Sequence, residues 1–500
     1  MTRNKREHIA FLGLLAFAAS QVTAFARDKD SEARNLVQNP GFEIIDEHQK
    51  LAAGWHHEAP REEIAPLFQL DASIARSGKY SARLSSQGSP GTLGYWATTV
   101  KGIQGENGSG TKDSPTAHTI NSQGFLGNKG YRIRCYFKTR DLESIDKNVW
   151  VRVHWNDAKG QLLLEEYLST YAQEGGWYKA EQVRTAPVHA RSLDLELVLQ
   201  WAAKGTVWWD DISVEETAPP APPRRVKLAT VSYEPPAPST PDKNRQFYAE
   251  KVAEAGKAGA DIICLGEGIT VVSTEKKYAE VAEPLPGPTS QALGEVAKKY
   301  NLYVVAGIYE REGTLVYNTA LLIDRKGKVV GKYRKTHLPE TEVSGGIIPG
   351  STYPVFETDF GTIGLQICYD NFFPEVARNL ALQGAEIIFL PIWGDIRGND
   401  YEWDVVARAR AIDNAVYLVA SIYGTKRSLI IDPNGRILAD TNGQSGMVIA
   451  EIDLAARTFE RWLSVAGYGE WKNLYPKERR CETYWPLMSN GKDQSKRAND

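Results

Sequence analysis

The 500-residue chain predicts two folded units of different class, an antiparallel β-sandwich followed by an α/β domain with layered sheets. Three observations carry this. The segment "TAPPAPPRR", residues 217–225, packs four prolines between 219 and 223 and can join neither a helix nor a sheet centre. Before it, short runs alternate apolar and polar residues with period two, and no convincing helix intervenes. Beyond it, apolar strands alternate with stretches of helical spacing.

At the start, "MTRNKREHIAFLGLLAFAASQVTAFARDKD" has a basic head, an apolar run from Ile9 to Ala19, and small residues at Ala24 and Ala26. This is the pattern of a cleaved secretory signal over 1–26, and the apolar run is too short to span a bilayer. A secreted or periplasmic location is expected, and no later stretch is long and apolar enough for a transmembrane helix. Residues 35–216 form the sandwich, read from "YSARLSS", "YRIRCYFKT", "NVWVRVHWND", "LDLELVLQW" and "GTVWWDDISV". Residues 217–225 are the linker and 226–488 the α/β domain. The last twelve residues, 489–500, read as a disordered tail.

In the second domain "RRVKLATVSYEPP" is an apolar strand. The helix after it has Thr240 as N-cap and Pro241 at its first position. "DIICLGEG" is the next strand, "SQALGEVAKKYN" a helix, "LYVVAGIYER" a strand and "YNTALLIDRKGKVVGKYRK" a hairpin. "GTIGLQICYDN", "EIIFLPIW" and "AVYLVASIYG" are further strands, separated by the helices "FPEVARNLALQGA" and "DYEWDVVARARAIDN", with the hairpin "SLIIDPNGRILAD" closing the set.

A formal net charge of −3 without a block of like charges excludes a nucleic-acid-binding surface built on basic runs. The four cysteines, 135, 264, 368 and 481, are too widely and irregularly spaced for a disulfide framework or a zinc site. Cys264 lies inside "DIICL" as a buried thiol, and a Cys135–Cys481 bridge is left open.

Reactive side chains stand at three strand ends of the α/β domain: Glu267, Lys335 and Cys368. Taken singly each has a plain reading, as a turn cap, a solvated lysine or a buried thiol. Together they make a thiol hydrolase. A thiol attacking an amide carbonyl needs a base that later protonates the departing amine, and a carboxylate beside apolar residues serves for both. The oxyanion needs donors, which Lys335 and the N–H of Tyr369 supply.

On these motifs, "LGEG", "YRKTHLPE" and "ICYDNFFPEVAR", supported by "VVARARAIDNAVYLVA" and "IIDPNGRILAD", residues 226 to about 488 resemble the nitrilase superfamily of carbon–nitrogen hydrolases. The resemblance implies a four-layer αββα sandwich and a Glu-Lys-Cys triad at Glu267, Lys335 and Cys368, with no catalytic cofactor. It also implies an assisting glutamate in "PETEVSGGIIPG", where Glu342 fits better than Glu340. Dimers or larger oligomers are implied, with "GYGEWKNLYPKERRCETYWPL" packing across the subunit interface. Glu375 and Arg378 read as a buried structural pair, and Arg408, Arg410 and Asn414 as structural.

"NLVQNPGFE" and "VWWDDISV" resemble the end strands of jelly-roll, galactose-binding-like carbohydrate-binding modules. That resemblance implies a structural Ca²⁺ at Glu43 and Asp211, and glycan stacking on Trp96, Trp155 or Trp201, although alternating aromatics are more often sandwich core.

Family members that act on α-carboxylate substrates often carry arginine four residues after the cysteine. Phe372 stands there and offers no cation. The expected substrate is thus an uncharged or cationic amide or N-carbamoyl amine, in a pocket lined by Phe372, Trp393 and Asp395, with Arg397 as a rival cation in the same loop. Two alternatives are a glycan-binding protein with an inactive hydrolase domain, which an intact triad disfavours, and a nitrile-hydrolysing enzyme. A membrane-bound acyltransferase would need transmembrane helices.

Overall fold

The computed structural model describes residues 34–105, 119–121, 125–220, 223–394, 400–424, 426–461, 465–484 and 487, with 119–121 and 400–402 described in backbone only. The expected leader, 1–26, and tail, 489–500, lie outside the described residues. No helix among the described residues is long and apolar enough to cross a membrane.

Two antiparallel sheets face each other in the N-terminal region. One runs in the order Tyr171–Glu174, Trp177–Pro187, Leu126–Arg140, Thr206–Thr217, Ser81–Ser85, Leu67–Asp71. The other runs Leu162–Tyr167, Val149–Asn156, Ser192–Gln200, Leu93–Lys101, His56–Glu58. Period-two alternation sends Tyr131, Ile133, Cys135 and Phe137 of one strand inward against Val151, Val153 and Trp155 of the facing sheet. Trp96 and Trp155 are fully enclosed in this core, so neither offers a face to a sugar; Trp201 is 37% exposed and lies under the Arg480 guanidinium. All four cysteines are free: Cys135 and Cys264 are buried and Cys481 is exposed.

Glu43 and Asp211 do converge, on the turn 76–80. Three of their four oxygens accept protein donors there. Glu43 Oε1 accepts the N–H groups of Lys79 and Tyr80, and Asp211 accepts from the Arg76 guanidinium and the Ser77 hydroxyl. The described residues hold no group of three or more His, Cys, Asp or Glu placed for a metal. Both carboxylates thus hold this turn through protein donors.

The second unit has two six-stranded sheets. The first is ordered Val329–Arg334, Leu315–Ile323, Tyr303–Glu312, Ile262–Cys264, Arg225–Val231, Met447–Asp453. The second is ordered Val355–Glu357, Thr362–Leu365, Ile387–Pro391, Tyr417–Ser421, Leu429–Ile431, Ile437–Asp440. Central strands pair in parallel and outer ones antiparallel. Both faces are covered, which is why these strands read as continuous apolar runs. Within Ile262–Cys264 the side chains split by pleat. Ile262 and Cys264 pack between the sheets with Phe389 and Val419, and Ile263 packs under the helices Pro241–Lys257 and Pro288–Tyr300. Helices Pro374–Leu382 and Asp400–Asn414 cover the other sheet. The layers are therefore helix, sheet, sheet, helix. Thr240 caps its helix as expected, its hydroxyl accepting from Lys243 N at 3.3 Å.

The C-terminal segment departs from expectation. It packs on its own chain's sandwich. Strand Thr458–Glu460 pairs with Thr119–Asn121, and Phe459 is fully buried in the sandwich core. Asn473, on the helix Trp471–Glu478, accepts from the backbone N–H of Tyr167 at 2.8 Å and donates to its carbonyl at 2.9 Å. Leu474 and Val465 close an apolar patch with Trp150, Tyr167 and Val198. Beneath it, Glu166 pairs with Arg457, and Trp155 Nε1 donates to its other oxygen at 2.8 Å. Glu375 is exposed, without the expected pair to Arg378, because the first turn of Pro374–Leu382 faces an open cleft lined by Asp413, Tyr475 and Arg479.

Candidate active site

Glu267, Lys335 and Cys368 come from three different strand ends and meet at one point. Glu267 follows Ile262–Cys264 on a turn that crosses directly over Gly307. A Cβ at 307 would lie 2.7 Å from Glu267 Cα, so only glycine lets the carboxylate-bearing turn sit this low. Lys335 follows Val329–Arg334. Its backbone N–H donates to Asn318 O at 2.9 Å and its carbonyl accepts from Gly350 N at 2.8 Å. The side chain is 1% exposed, and Nζ lies 2.8 Å from both Glu267 Oε1 and Glu342 Oε2.

Burial works against the charge of Lys335, and the fields of Glu267, Cys368 and Glu342 outweigh it, so the ammonium is held more firmly than usual. The Glu342 carboxyl is shifted. Burial and the charge of Glu267 push it above the ordinary range, against the pull of Lys335 and the Asn318 amide. Tyr309 OH donates to Glu342 Oε1 at 3.2 Å. Glu340, the other candidate in the motif, is exposed and bonds only to Ser344 on the same short helix. Replacing Glu342 with glutamine is expected to lower kcat by about a hundredfold, the usual cost of one electrostatic partner in a closed site. Glu340→Gln is expected to stay within about twofold of wild type, as for surface changes generally. Steady-state kinetics on the two variants checks this.

Cys368 opens a 3-10 turn, Cys368–Phe372, and its φ of +45° lies in the left-handed region. A non-glycine residue there costs about 1–3 kcal/mol and persists only where the surroundings over-determine it. Asp370 supplies that constraint. Its carboxylate accepts from Ile367 N at 3.1 Å, Tyr333 OH at 2.8 Å, Thr336 Oγ1 at 3.0 Å and His337 N at 2.9 Å. One buried side chain thus ties the cysteine turn to the lysine loop. The thiol is pushed up to about 12, first by burial and then by the charge of Glu267, with Lys335 and the Trp393 N–H pulling the other way. A resting thiol of this kind is protonated at neutral pH and needs the carboxylate beside it to become a nucleophile.

Tyr369 and Phe372 are exposed, at 39% and 44%, with their rings 6.1 Å apart on the turn after the cysteine. Trp393 reaches the site through its main chain. Its backbone N–H donates to Glu267 Oε2 at 2.7 Å, and its indole packs edge-on against Tyr423. Asp395 and Arg397 lie outside the described residues. Arg410 Nε donates to Asn371 O at 3.0 Å, Arg408 Nε to Gly435 O at 2.8 Å and Asn414 to Arg410 O at 2.8 Å, all structural roles as expected.

Sequence reasoning missed Asn318, Asp370 and Tyr423, whose hydroxyl donates to the carbonyl of Glu267. Asn318 had a signal: an amide inside the apolar strand "LVYNTALLI" is a poor strand former that must find partners when buried.

A buried carboxylate–ammonium–carboxylate group beside a strained thiol, at the strand ends of an αββα sandwich, has the form of a hydrolase site for carbon–nitrogen bonds. The sequence model of the carbon–nitrogen hydrolase family matches residues 227–459. Among curated relatives, the omega-amidase NIT2 of Bos taurus is 33% identical over 221 residues, 41% of this chain and 80% of that protein. The deaminated glutathione amidase of Synechocystis is 33% identical over 235 residues, 42% of this chain and 86% of that one. The crystal structure of Saccharomyces cerevisiae Nit3, a nitrilase-superfamily member, is 29% identical, with a TM-score of 0.42 and coverage of 46% of this chain and 90% of that one. The chain belongs to the carbon–nitrogen hydrolase family of the nitrilase superfamily, and it is a hydrolase of carbon–nitrogen bonds other than peptide bonds.

Proposed function

We propose that the protein is an amidase, or an N-carbamoyl amidase, that works through a Cys368 acyl-enzyme on an uncharged or cationic substrate and releases ammonia. The observation that carries the reading is the convergence of Glu267 and Lys335, 2.8 Å apart and both buried, on a partly exposed cysteine. Glu267 takes the thiol proton as sulfur attacks the carbonyl carbon, so no free thiolate has to form ahead of attack. The developing oxyanion is held by Lys335 Nζ and the N–H of Tyr369. Glu267 then passes its proton to the departing ammonia. In the second half it deprotonates the water that cleaves the thioester and returns the proton to sulfur.

Two relatives bear amidase names, which favours an amide over a nitrile. Phe372, exposed on the turn after the nucleophile, supports a substrate without a carboxylate near the scissile bond. Export, a dimeric or larger assembly, and a carbohydrate-binding role for the sandwich belong to the same proposal. They rest on the leader pattern, the family resemblance and the end-strand motifs respectively.

The test is a panel of amides, N-carbamoyl amines, N-carbamoyl amino acids and nitriles, read by ammonia release, with wild type and Cys368→Ala. The variant is expected to lose all release. In wild type, kcat/KM for carbamoylated amines or neutral amides is expected to exceed that for carbamoylated amino acids. Ammonia release that survives Cys368→Ala overturns the mechanism, and a preference for the acids overturns the substrate class.

A further inference from the structure

Asn318 touches two members of the triad and the assisting glutamate. Its carbonyl accepts the backbone N–H of Lys335 at 2.9 Å. Its side-chain nitrogen donates to Glu267 Oε1 at 2.7 Å and also to Glu342 Oε1. The residue is fully buried in mid-strand, and its own amide oxygen has no hydrogen-bond partner. A carboxamide nitrogen carries two hydrogens and can only donate, so both glutamate Oε1 atoms are acceptors here.

The donors divide between the two carboxylates. Glu267 Oε1 accepts from Asn318 and Lys335, and Glu267 Oε2 accepts from the Trp393 N–H at 2.7 Å. Both oxygens of Glu267 are thus engaged as acceptors. Glu342 Oε1 is occupied by Asn318 and Tyr309. Glu342 Oε2 faces the Lys335 ammonium at 2.8 Å. Glu267 Oε2, with the Trp393 N–H as its one directed donor, keeps a lone pair for the Cys368 proton.

We infer that Asn318 is a positioning residue that, by donating one amide hydrogen to Oε1 of each glutamate, holds Glu267 ionised as the base. Three consequences follow from the geometry. Without the amide, Glu267 Oε1 loses one of its two donors, and protonating Glu267 becomes easier. The base then fails at a higher pH than in wild type. Substrate contacts are untouched, so the loss falls on kcat and not on KM.

This inference rests on Glu267 being the base, and the experiment separates the two. The pH profile of kcat/KM, kcat and KM is measured for wild type, Asn318→Ala, Asn318→Ser and Cys368→Ala, with the best substrate of the panel. In Asn318→Ala, kcat is expected to fall at least thirtyfold with KM within threefold, and the acid limb of kcat/KM to move up by half a pH unit or more. Asn318→Ser, which restores one donor, is expected to fall between the two in both measures. It also serves as the reporting variant if the alanine protein is unfolded by circular dichroism. An acid limb that stays in place while kcat falls overturns the positioning role and leaves the triad standing. Activity that survives Cys368→Ala overturns the underlying site instead.

Discussion

Replacing Lys335 with methionine should stop turnover and, at the same time, invert the usual pH dependence of a carboxylate-rich protein. The side chain keeps its length and loses its charge, leaving Glu267 and Glu342 facing each other in a buried site with only the Asn318 amide between them. Removing one member of a buried, hydrogen-bonded charge group costs about 3–5 kcal/mol, because the remaining charges stay uncompensated. Turnover should fall by about 10³-fold or more, since the oxyanion loses its principal donor.

The pH dependence follows from which carboxyl yields. Glu342 is raised above the ordinary range even with the ammonium present, by burial and by Glu267. Without the ammonium it is raised further. The folded state then binds more protons than the unfolded one from about pH 4.3, the unfolded value, up to the raised folded value. Stability relative to wild type is therefore poorest at neutral pH and recovers as pH falls through that window. Urea unfolding of wild type and Lys335→Met at pH 7.5 and pH 5 measures it. A deficit that is equal or larger at pH 5 would sink the idea that the ammonium is there to hold two ionised carboxylates together.

The second large effect is expected far from the chemistry. Glu166→Gln should destabilise the chain by about 3 kcal/mol, the cost of breaking a buried ion pair from one side. Glu166 lies beneath the docked C-terminal segment, paired with Arg457, which also reaches Glu470 at 2.6 Å. Burial works to raise the Glu166 carboxyl, and Arg457 with Arg184 outweighs it, so the group sits below its ordinary range. Its contribution is whole above the unfolded value of about 4.3 and is lost only as pH falls through the lower folded value. The deficit of Glu166→Gln should therefore be constant from pH 8 to pH 5, the reverse of the Lys335→Met pattern. Faster amide exchange at 457–461 in the variant would locate the loosening. A stability change under 1 kcal/mol would show that Phe459 and the Asn473 bonds hold the segment without the ion pair.

What the sequence could disclose follows from how local each feature is. Thr240 and Pro241 start a helix because capping is written within four residues, Glu267 and Cys368 stand out because each ends an apolar run, and Lys335 stands out by its motif at a strand end. Glu342 could be separated from Glu340 only by motif; in space one is buried against Lys335 and the other is solvated. Asn473 and Tyr167, 306 residues apart, leave no trace in any periodicity. Neither does Phe459, which reads as one aromatic after a strand and is part of another domain's core. The Trp393 contribution was out of reach for a different reason, since it is made by a backbone N–H and any side chain except proline would permit it.

The proline segment marks where a molecular biologist would cut this gene, and the docking of residues 457–461 and 465–484 argues against doing so. Cleaved there, the first half would keep a sandwich whose core lacks Phe459 and whose Glu166 is buried without Arg457. The second half would trail a helix with Leu474 uncovered and a lysine, Lys477, whose resting place is the ring of Tyr171 in the missing piece. Neither fragment is a module in the sense of something that can be lent to another protein. The unit of inheritance, of expression and of any domain exchange is the two halves with their C-terminal strap, and a shuffled version would have to carry all three.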